Sequence, residues 1–205
     1  MSEQDSTRTK ILEAARDRFM HYGYSKTTMS EVARDCEMSA GNIYRFFSSK
    51  LDIAEAMAEK FNDEQDIDYR RIAFQSKPAI ERLFEFFFFS LEKTYTAIEE
   101  EAKILEIAEI LRLERPEYFN KHLAQERVFL VKILEDGIAE RLFRPLENSN
   151  TTAEMIQAAL MKFRFPQAYS QLKLDQLRYE LEGVLRLLTA GLSVGANEPV
   201  LEPAG

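Results

Sequence analysis

Thr27-Thr28-Met29-Ser30-Glu31-Val32-Ala33 and, five residues on, Ser39-Ala40-Gly41-Asn42-Ile43-Tyr44-Arg45-Phe46-Phe47-Ser48-Ser49-Lys50 are the stretches that decide the fold. Thr28 with Glu31 has the spacing of a capping box. The threonine hydroxyl accepts a backbone N–H while the glutamate reaches back to the cap. A short helix follows that buries Val32 and Ala33. After a tight connection at Glu37-Met38, Ser39 is a good N-cap for a second short helix, residues 40–47. Ile43 and Phe47 lie four apart and would face inward, leaving Tyr44 and Arg45 outward and Ala40, Gly41 and Asn42 in the first turn. Upstream, Ile11, Leu12, Ala15, Phe19 and Tyr22 form one stripe of a helix over 7–22, closed by Gly23. Downstream, Ser49-Lys50-Leu51-Asp52 opens a longer helix over about residues 50–72.

The same spacing runs on to about residue 194. Glycine and proline number only seven and six in 205 residues, and no convincing alternating segment occurs. The fold class predicted is all-α with about nine helices. Further helices are expected at 78–94, 97–114, 117–142, 151–169 and 173–194, with Thr151-Thr152-Ala153-Glu154 as a capping box. The organisation expected is a head over residues 1–50, a helical body over 51–196 linked by the helix at 50–72, and a disordered tail over 197–205 with two prolines.

Composition narrows the function classes. The net charge is −8, yet residues 1–50 hold eight Lys/Arg against seven Asp/Glu, and the acidic excess lies beyond them. A near-neutral head on an acidic body is compatible with a local basic patch. A single cysteine, Cys36, allows no internal disulfide and is expected to be a small buried residue. Met1 to Lys10 is polar, without the apolar run of a secretory leader, and no run of about 18 apolar residues suggests a membrane span. A cytoplasmic protein is expected. Two histidines, His21 and His122, and one cysteine make no evident metal site. There is no nucleophile elbow, phosphate-cradling glycine loop or HExxH, so neither enzyme nor cofactor is expected. Glu99-Glu100-Glu101, Glu106 and Glu109 are read as solvated surface acids.

Three short helices with a tight turn between the second and third are the helix-turn-helix arrangement. Residues 9–53 resemble the N-terminal domain of the tetracycline-repressor-like (TetR) family of bacterial regulators. The resemblance rests on Ile11-Leu12-x-Ala14-Ala15 with Phe19 and Gly23, on Thr27 to Ala33, and on Ser39-Ala40-Gly41-Asn42-Ile43-Tyr44-x-x-Phe47-x-Ser49-Lys50. It implies binding to double-stranded DNA, with Thr28, Ser39, Tyr44 and Lys50 on phosphate. The residue types have a physical sense beside it. Small Ala40 and Gly41 let a helix N-terminus approach a groove, and backbone donors there suit phosphate. Asn42 can pair with an adenine edge, and Arg45 can reach guanine or phosphate. Each has a structural alternative: the hydroxyls as caps, Tyr44 as packing, Lys50 as a solvated charge. Two departures stand out. Glu37 occupies a turn position that is often glycine and tends to need positive φ. Leu51 follows the lysine where an acid is usual.

In the body, Leu174, Leu177, Leu181, Val184, Leu185, Leu188 and Leu192 repeat at three- and four-residue steps, a helix-packing seam. Gly183, Ala190 and Gly191 allow close approach. The resemblance implies a homodimer through the last two helices, with Ile156, Leu160, Phe163, Leu177, Leu181, Val184 and Leu188 at the interface; the alternative is that both stripes pack within one chain. Phe84-Glu85-Phe86-Phe87-Phe88-Phe89 covers all sides of its helix and must be nearly enclosed. An apolar or aromatic effector among Phe84, Phe87, Phe88, Tyr95, Tyr118, Phe129, Met161 and Phe165 is the ligand-site expectation, with a purely structural core as alternative. The functional expectation is a repressor released from a palindromic operator by a small molecule. The alternatives are an activator, a ligand-independent regulator, or a helical binding or scaffold protein without a DNA role.

Overall fold

The helical spacing becomes helices throughout. The computed structural model describes residues 3–195, and among them are eleven helices and no strand. In chain order they are α1 (Glu3–Tyr22), α2 (Met29–Asp35), α3 (Ala40–Ile43), α4 (Lys50–Phe74), α5 (Ala79–Glu100), α6 (Ile104–Glu114), α7 (Pro116–Ala139), α8 (Ser149–Ala159), α9 (Met161–Arg164), α10 (Pro166–Tyr169) and α11 (Leu174–Leu192). The all-α class is as expected. No helix among the described residues is long and apolar enough to cross a membrane. The tail expected over 197–205 lies outside the described residues.

The extra helices come from the segment expected as one helix over 151–169. Leu160 (φ −101°, ψ 11°) ends α8, and Phe165 (φ −130°, ψ 65°) ends α9. Phe165 precedes Pro166, whose ring disfavours the α-region for the residue before it. The α8 cap also differs: the Asn148 side chain, not Thr151, accepts the Thr151 N–H at 3.0 Å. The break expected at 95–96 is absent, because neither glycine nor proline interrupts α5 there. It comes instead at Glu101–Lys103, where Glu101 binds Arg16 and the Lys103 ammonium reaches the His21 carbonyl. The helix expected over 40–47 ends at Ile43 and tightens into i→i+3 turns, Arg45 N–H to the Asn42 carbonyl and Phe46 N–H to Ile43.

The described chain forms two compact units, each with its own core. The first takes the residues up to Asp68 together with Thr96–Ala124. Its core is Ile11, Ala15, Phe19, Val32, Ala33, Cys36, Ile43 and Phe47, joined by Ile53 and Ala54 of α4, Ile107 and Leu111 of α6 and Tyr118 of α7. Compactness therefore does not change at residue 50, because α4, α6 and the start of α7 supply side chains to the head's core. Tyr22, expected on the buried stripe of α1, is exposed, with the Arg18 guanidinium 5.4 Å from its ring centroid.

The second unit takes Tyr69–Tyr95 and the residues from Gln125 onward. Its core joins α5, α7, α8 and α11 through Phe86, Phe87, Leu91, Leu130, Ile133, Leu134, Phe143, Ile156, Leu160, Phe163, Leu177, Leu181 and Leu185. Burying this much apolar surface is the main stabilising term, about 25 cal/mol per Å² removed from water. A nearly sealed guanidinium holds one end. Arg82 donates to the carbonyls of Ala73 and Lys77, to Asp136 at 2.8 Å and to Glu140 at 3.1 Å. A buried arginine is tolerated because its donors are answered in this way.

Candidate nucleic-acid interface

The Thr28 capping box forms as expected. Its hydroxyl oxygen accepts the Glu31 N–H, and Glu31 accepts the Thr28 N–H at 2.9 Å and the Thr28 O–H at 2.8 Å. Those bonds, the Thr28 hydroxyl foremost, hold the Glu31 carboxyl below its ordinary range. The turn after α2 passes through Glu37 at φ +58°, the left-handed conformation anticipated at that position. Met38 N–H then bonds back to the Ala33 carbonyl, a helix-closing pattern that fixes the angle of entry to α3. Ser39 caps α3 by accepting the Asn42 N–H at 3.2 Å.

α3 and the turn after it are two-faced. Ile43 and Phe47 are buried, whereas Ser39, Ala40, Gly41, Tyr44 and Arg45 are exposed and Asn42 is half-buried. Among the described residues, no side-chain hydrogen bond or ion pair engages Tyr44 or Arg45. A Cβ added at Gly41 would meet nothing within 4 Å, so the approach to this helix start is open. The structure thus brings six of the eight candidate DNA residues, Ser39 to Asn42 with Tyr44 and Arg45, onto one short segment. Thr28 is exposed at the start of α2.

Lys50 behaves differently from expectation. Its ammonium turns inward, donating to the carbonyls of Tyr24 at 2.7 Å and Thr27 at 2.8 Å. It also sits 4.1 Å from the Tyr24 ring centroid. Burial pushes its pKa down. Two of its three donors hold the protein's own backbone, a role that a reading of the helix start as a phosphate clamp did not include.

Sequence reasoning also missed Glu106. Read as a surface acid, it accepts from the Tyr24 N–H at 3.2 Å, the Ser25 N–H at 2.9 Å and the Ser25 hydroxyl at 2.6 Å. No local signal marks it, because its partners lie 81 and 82 residues away. Glu109 does pair at the surface, with Arg112 of its own helix. Cys36 is buried, and burial raises its thiol pKa.

In the second unit, the expected dimer residues Ile156, Leu160, Phe163, Leu177 and Leu181 are buried in the chain's own core, with Val184 and Leu188 packed against it. In the single chain these positions share one apolar core with residues of α5 and α7. The outward stripe of α11 is a different one, Tyr179, Gly183, Leu187, Ala190 and Gly191, all exposed, followed just past the helix end by exposed Val194. Tyr179 and Leu187 are 80% and 76% exposed. On α8, Met155, Ala158 and Ala159 are exposed.

The aromatic residues of α5 pack tightly, as expected of a nearly enclosed helix. Phe86 stacks on Tyr69 at 4.4 Å between centroids and meets Phe87 edge-on at 5.2 Å. Phe84 and Phe88 are half-buried, and Arg178 lies over the Phe88 ring. Phe129 is buried, while Tyr95, Met161 and Phe165 are half-buried. Tyr118 stands apart from the other seven candidates, in the core of the first unit, with its hydroxyl accepting from Asn62 Nδ2 at 2.6 Å. Burial raises its pKa. A cavity of about 560 Å³ lies elsewhere in the second unit, an open groove lined by Phe74, Pro78, Arg82, Lys132, Asp136 and Leu142 among others. The second unit also holds polar groups that hydropathy did not reveal: buried Glu126 accepts from Gln157 at 3.1 Å and pairs with Arg164.

Residues 11–57 match the family model described as bacterial regulatory proteins, tetR family. The chain is similar to the HTH-type transcriptional repressor KstR2 of Mycobacterium tuberculosis, 30% identical over 146 residues, spanning 69% of this chain and 71% of the relative. A putative TetR-family transcriptional regulator of Mesorhizobium loti superimposes with a TM-score of 0.72 at 14% identity, over 95% of this chain and all of that one. The solved KstR2 of Mycobacterium tuberculosis, described as a ketosteroid transcriptional regulator, gives 0.53 at 24% identity over 91% and 94%.

Proposed function

Since the chain belongs to the tetR family of bacterial regulatory proteins and is a DNA-binding regulator, we propose that it is a dimeric repressor that a small apolar or aromatic molecule releases from a palindromic operator. The observation that carries this is the outward face of α3. Ala40, Gly41, Tyr44 and Arg45 are exposed on a segment anchored underneath by Ile43 and Phe47. An exposed guanidinium and phenol beside an unobstructed helix start suit contact with base edges and phosphate. Thr28 and Ser39 act as caps, and their exposed positions leave them available to phosphate. Lys50 supports the head from within and has one donor left for DNA.

One head contacts too few base pairs to be selective, so two are needed, with half-sites one helical turn apart. The outward stripe of α11 from Tyr179 to Gly191, with Val194 just past its end and Met155 of α8, is the surface we assign to the two-fold contact. Glycine at 183 and 191 permits close helix approach. The effector would enter the second unit, whose half-buried Phe84, Phe88, Tyr95, Met161 and Phe165 offer apolar lining. An apolar effector is in keeping with the ketosteroid connection of the Mycobacterium tuberculosis relative. It acts by binding the arrangement that does not hold DNA more tightly than the one that does.

The test is a mobility shift of the purified protein on DNA flanking its own gene, repeated with a panel of steroid, aromatic and fatty-acyl compounds. A retarded band competed by that DNA but not by an unrelated duplex is expected, with at least one compound reversing it. No selective retardation anywhere in the flanking DNA would leave the scaffold alternative standing.

A further inference from the structure

The turn between α1 and α2, Gly23 to Thr27, is held from two sides by side chains of other helices. From α6, Glu106 accepts both backbone N–H groups of Tyr24 and Ser25, and the Ser25 hydroxyl as well. From α4, Lys50 donates to the carbonyls of Tyr24 and Thr27. The Tyr24 residue is thus pinned at its N–H by a carboxylate and at its C=O by an ammonium. Thr27 closes the turn internally, its hydroxyl donating to the Gly23 carbonyl at 2.9 Å. Gly23 at φ +93° leaves room for the carboxylate: a Cβ there would lie 3.0 Å from Glu106 Oε2. The next residue, Thr28, is the N-cap of α2, and α2 carries α3 through the Glu37 turn.

We propose that Glu106, together with Lys50, is a positioning residue for DNA recognition: the paired clasp on the Gly23–Thr27 turn sets where α2 begins and hence where α3 presents Tyr44 and Arg45. This rests on the DNA-binding function stated above. A recognition surface has to be held to within about 0.5 Å by supporting hydrogen bonds. Charge-assisted bonds to a carboxylate are stronger and shorter than neutral ones. α3, with only four helical residues, has little rigidity of its own. The carboxylate is held in its charged form by the Ser25 hydroxyl first, then by the two N–H groups and the nearby Lys103 ammonium.

The sign of the charge makes the test sharp. Glu106→Gln removes a negative charge from the head, which by electrostatics alone would tighten binding to a polyanion. Positioning predicts the reverse, because the amide nitrogen that takes the place of one carboxylate oxygen in glutamine cannot accept the backbone N–H that this oxygen accepts. A duplex selected by the wild-type protein from a random pool, and a scrambled duplex of the same length, serve as probes in fluorescence anisotropy. Amide hydrogen exchange is measured on the unliganded protein. Glu106→Gln is expected to weaken binding to the selected duplex by about tenfold or more, with the scrambled duplex affected less. Exchange at Tyr24, Ser25 and the start of α2 should speed up. Glu109→Gln, which removes the same charge from the same helix without touching the turn, should bind as tightly as wild type or slightly tighter. If Glu106→Gln does not fold, Ser25→Ala, which deletes only the hydroxyl donor, should show a smaller loss in the same direction. Unchanged or tighter binding by the folded variant, or unchanged exchange at Tyr24 and Ser25, overturns the proposal. Failure of the wild-type protein to select any duplex would overturn the DNA-binding function itself, and it would show before any variant is made.

Discussion

Arg45, Tyr44 and Asn42 differ in what they can read, and substitutions separate them. Arg45→Ala and Asn42→Ala are expected to relax base preference at single positions, each by about 1–3 kcal/mol in discrimination. Tyr44→Phe should weaken all duplexes alike, since a phosphate contact carries no base identity. Binding-site selection with each variant is the measurement; unaltered selected sequences for both Arg45→Ala and Asn42→Ala would remove them from the interface. Glu37 offers a stability test. Its φ of +58° strains a side-chain-bearing residue by about 1 kcal/mol or more. Glu37→Gly relieves that strain, partly offset by the freer unfolded chain. The exposed pairing of Glu37 with Lys10, 4.0 Å apart, is weak, so a net gain of about 0.5 kcal/mol in urea unfolding is expected, and a loss would mean that this pair outweighs the strain.

Among the elements, α7 shows how one residue settles a packing geometry. The chain reverses after α7 through Arg141 at φ +60°, and Phe143 folds back onto Gly137. A Cβ at 137 would lie 2.0 Å from the Phe143 ring. Alanine is ordinarily the better helix former by about 1 kcal/mol, yet Gly137→Ala should destabilise the second unit by about 1–3 kcal/mol through overpacking. Thermal unfolding checks it, and a raised midpoint would contradict the close approach. Capping was partly legible from sequence for the same kind of local reason. Thr28 and Ser39 are caps because hydroxyl and backbone donor lie within three residues. At α8 the helix begins at Ser149, ahead of Thr151, so Asn148 is the residue placed to cap it.

For the molecule as a whole, assembly and acid sensitivity are the informative properties. Leu187→Glu with Gly183→Glu places charges on the exposed stripe of α11 and should yield folded monomers with weakened operator binding. Leu181→Glu, fully buried in the chain's own core, should instead unfold the second unit at any concentration. Sedimentation paired with circular dichroism distinguishes them, and a double variant that remains dimeric would place the two-fold contact elsewhere. Several carboxyls, Glu31, Glu85, Glu106 and Asp136 among them, sit below their ordinary pKa, held there by hydrogen bonds and cationic partners that offset burial. Groups with lowered folded pKa values stabilise above their unfolded pKa, and that contribution is lost as pH falls through the folded value. Stability should therefore hold through neutral pH and decline below the ordinary carboxylate range; a midpoint that rises on acidification would contradict these pairings.

Local spacing was enough to read the helical class, the two short helices with a tight turn, the caps at Thr28 and Ser39, the inward Ile43 and Phe47 against the outward Tyr44 and Arg45, and the strained Glu37, though not every helix boundary. All of these depend on interactions within a few residues, where spacing and side-chain chemistry are read directly. Which apolar stripe of α11 joins the chain's own core and which stays exposed became visible only in the folded chain, because both recur at helical intervals and hydropathy does not say what lies opposite. The tertiary structure also decided that Lys50 turns inward, that Tyr118 leaves the other aromatics for the head's core, and that Glu106 is a clasp while Glu109 is a surface acid. These depend on contacts across as many as 82 residues, and nothing in the local sequence encodes which backbone group a distant helix will bring within 3 Å.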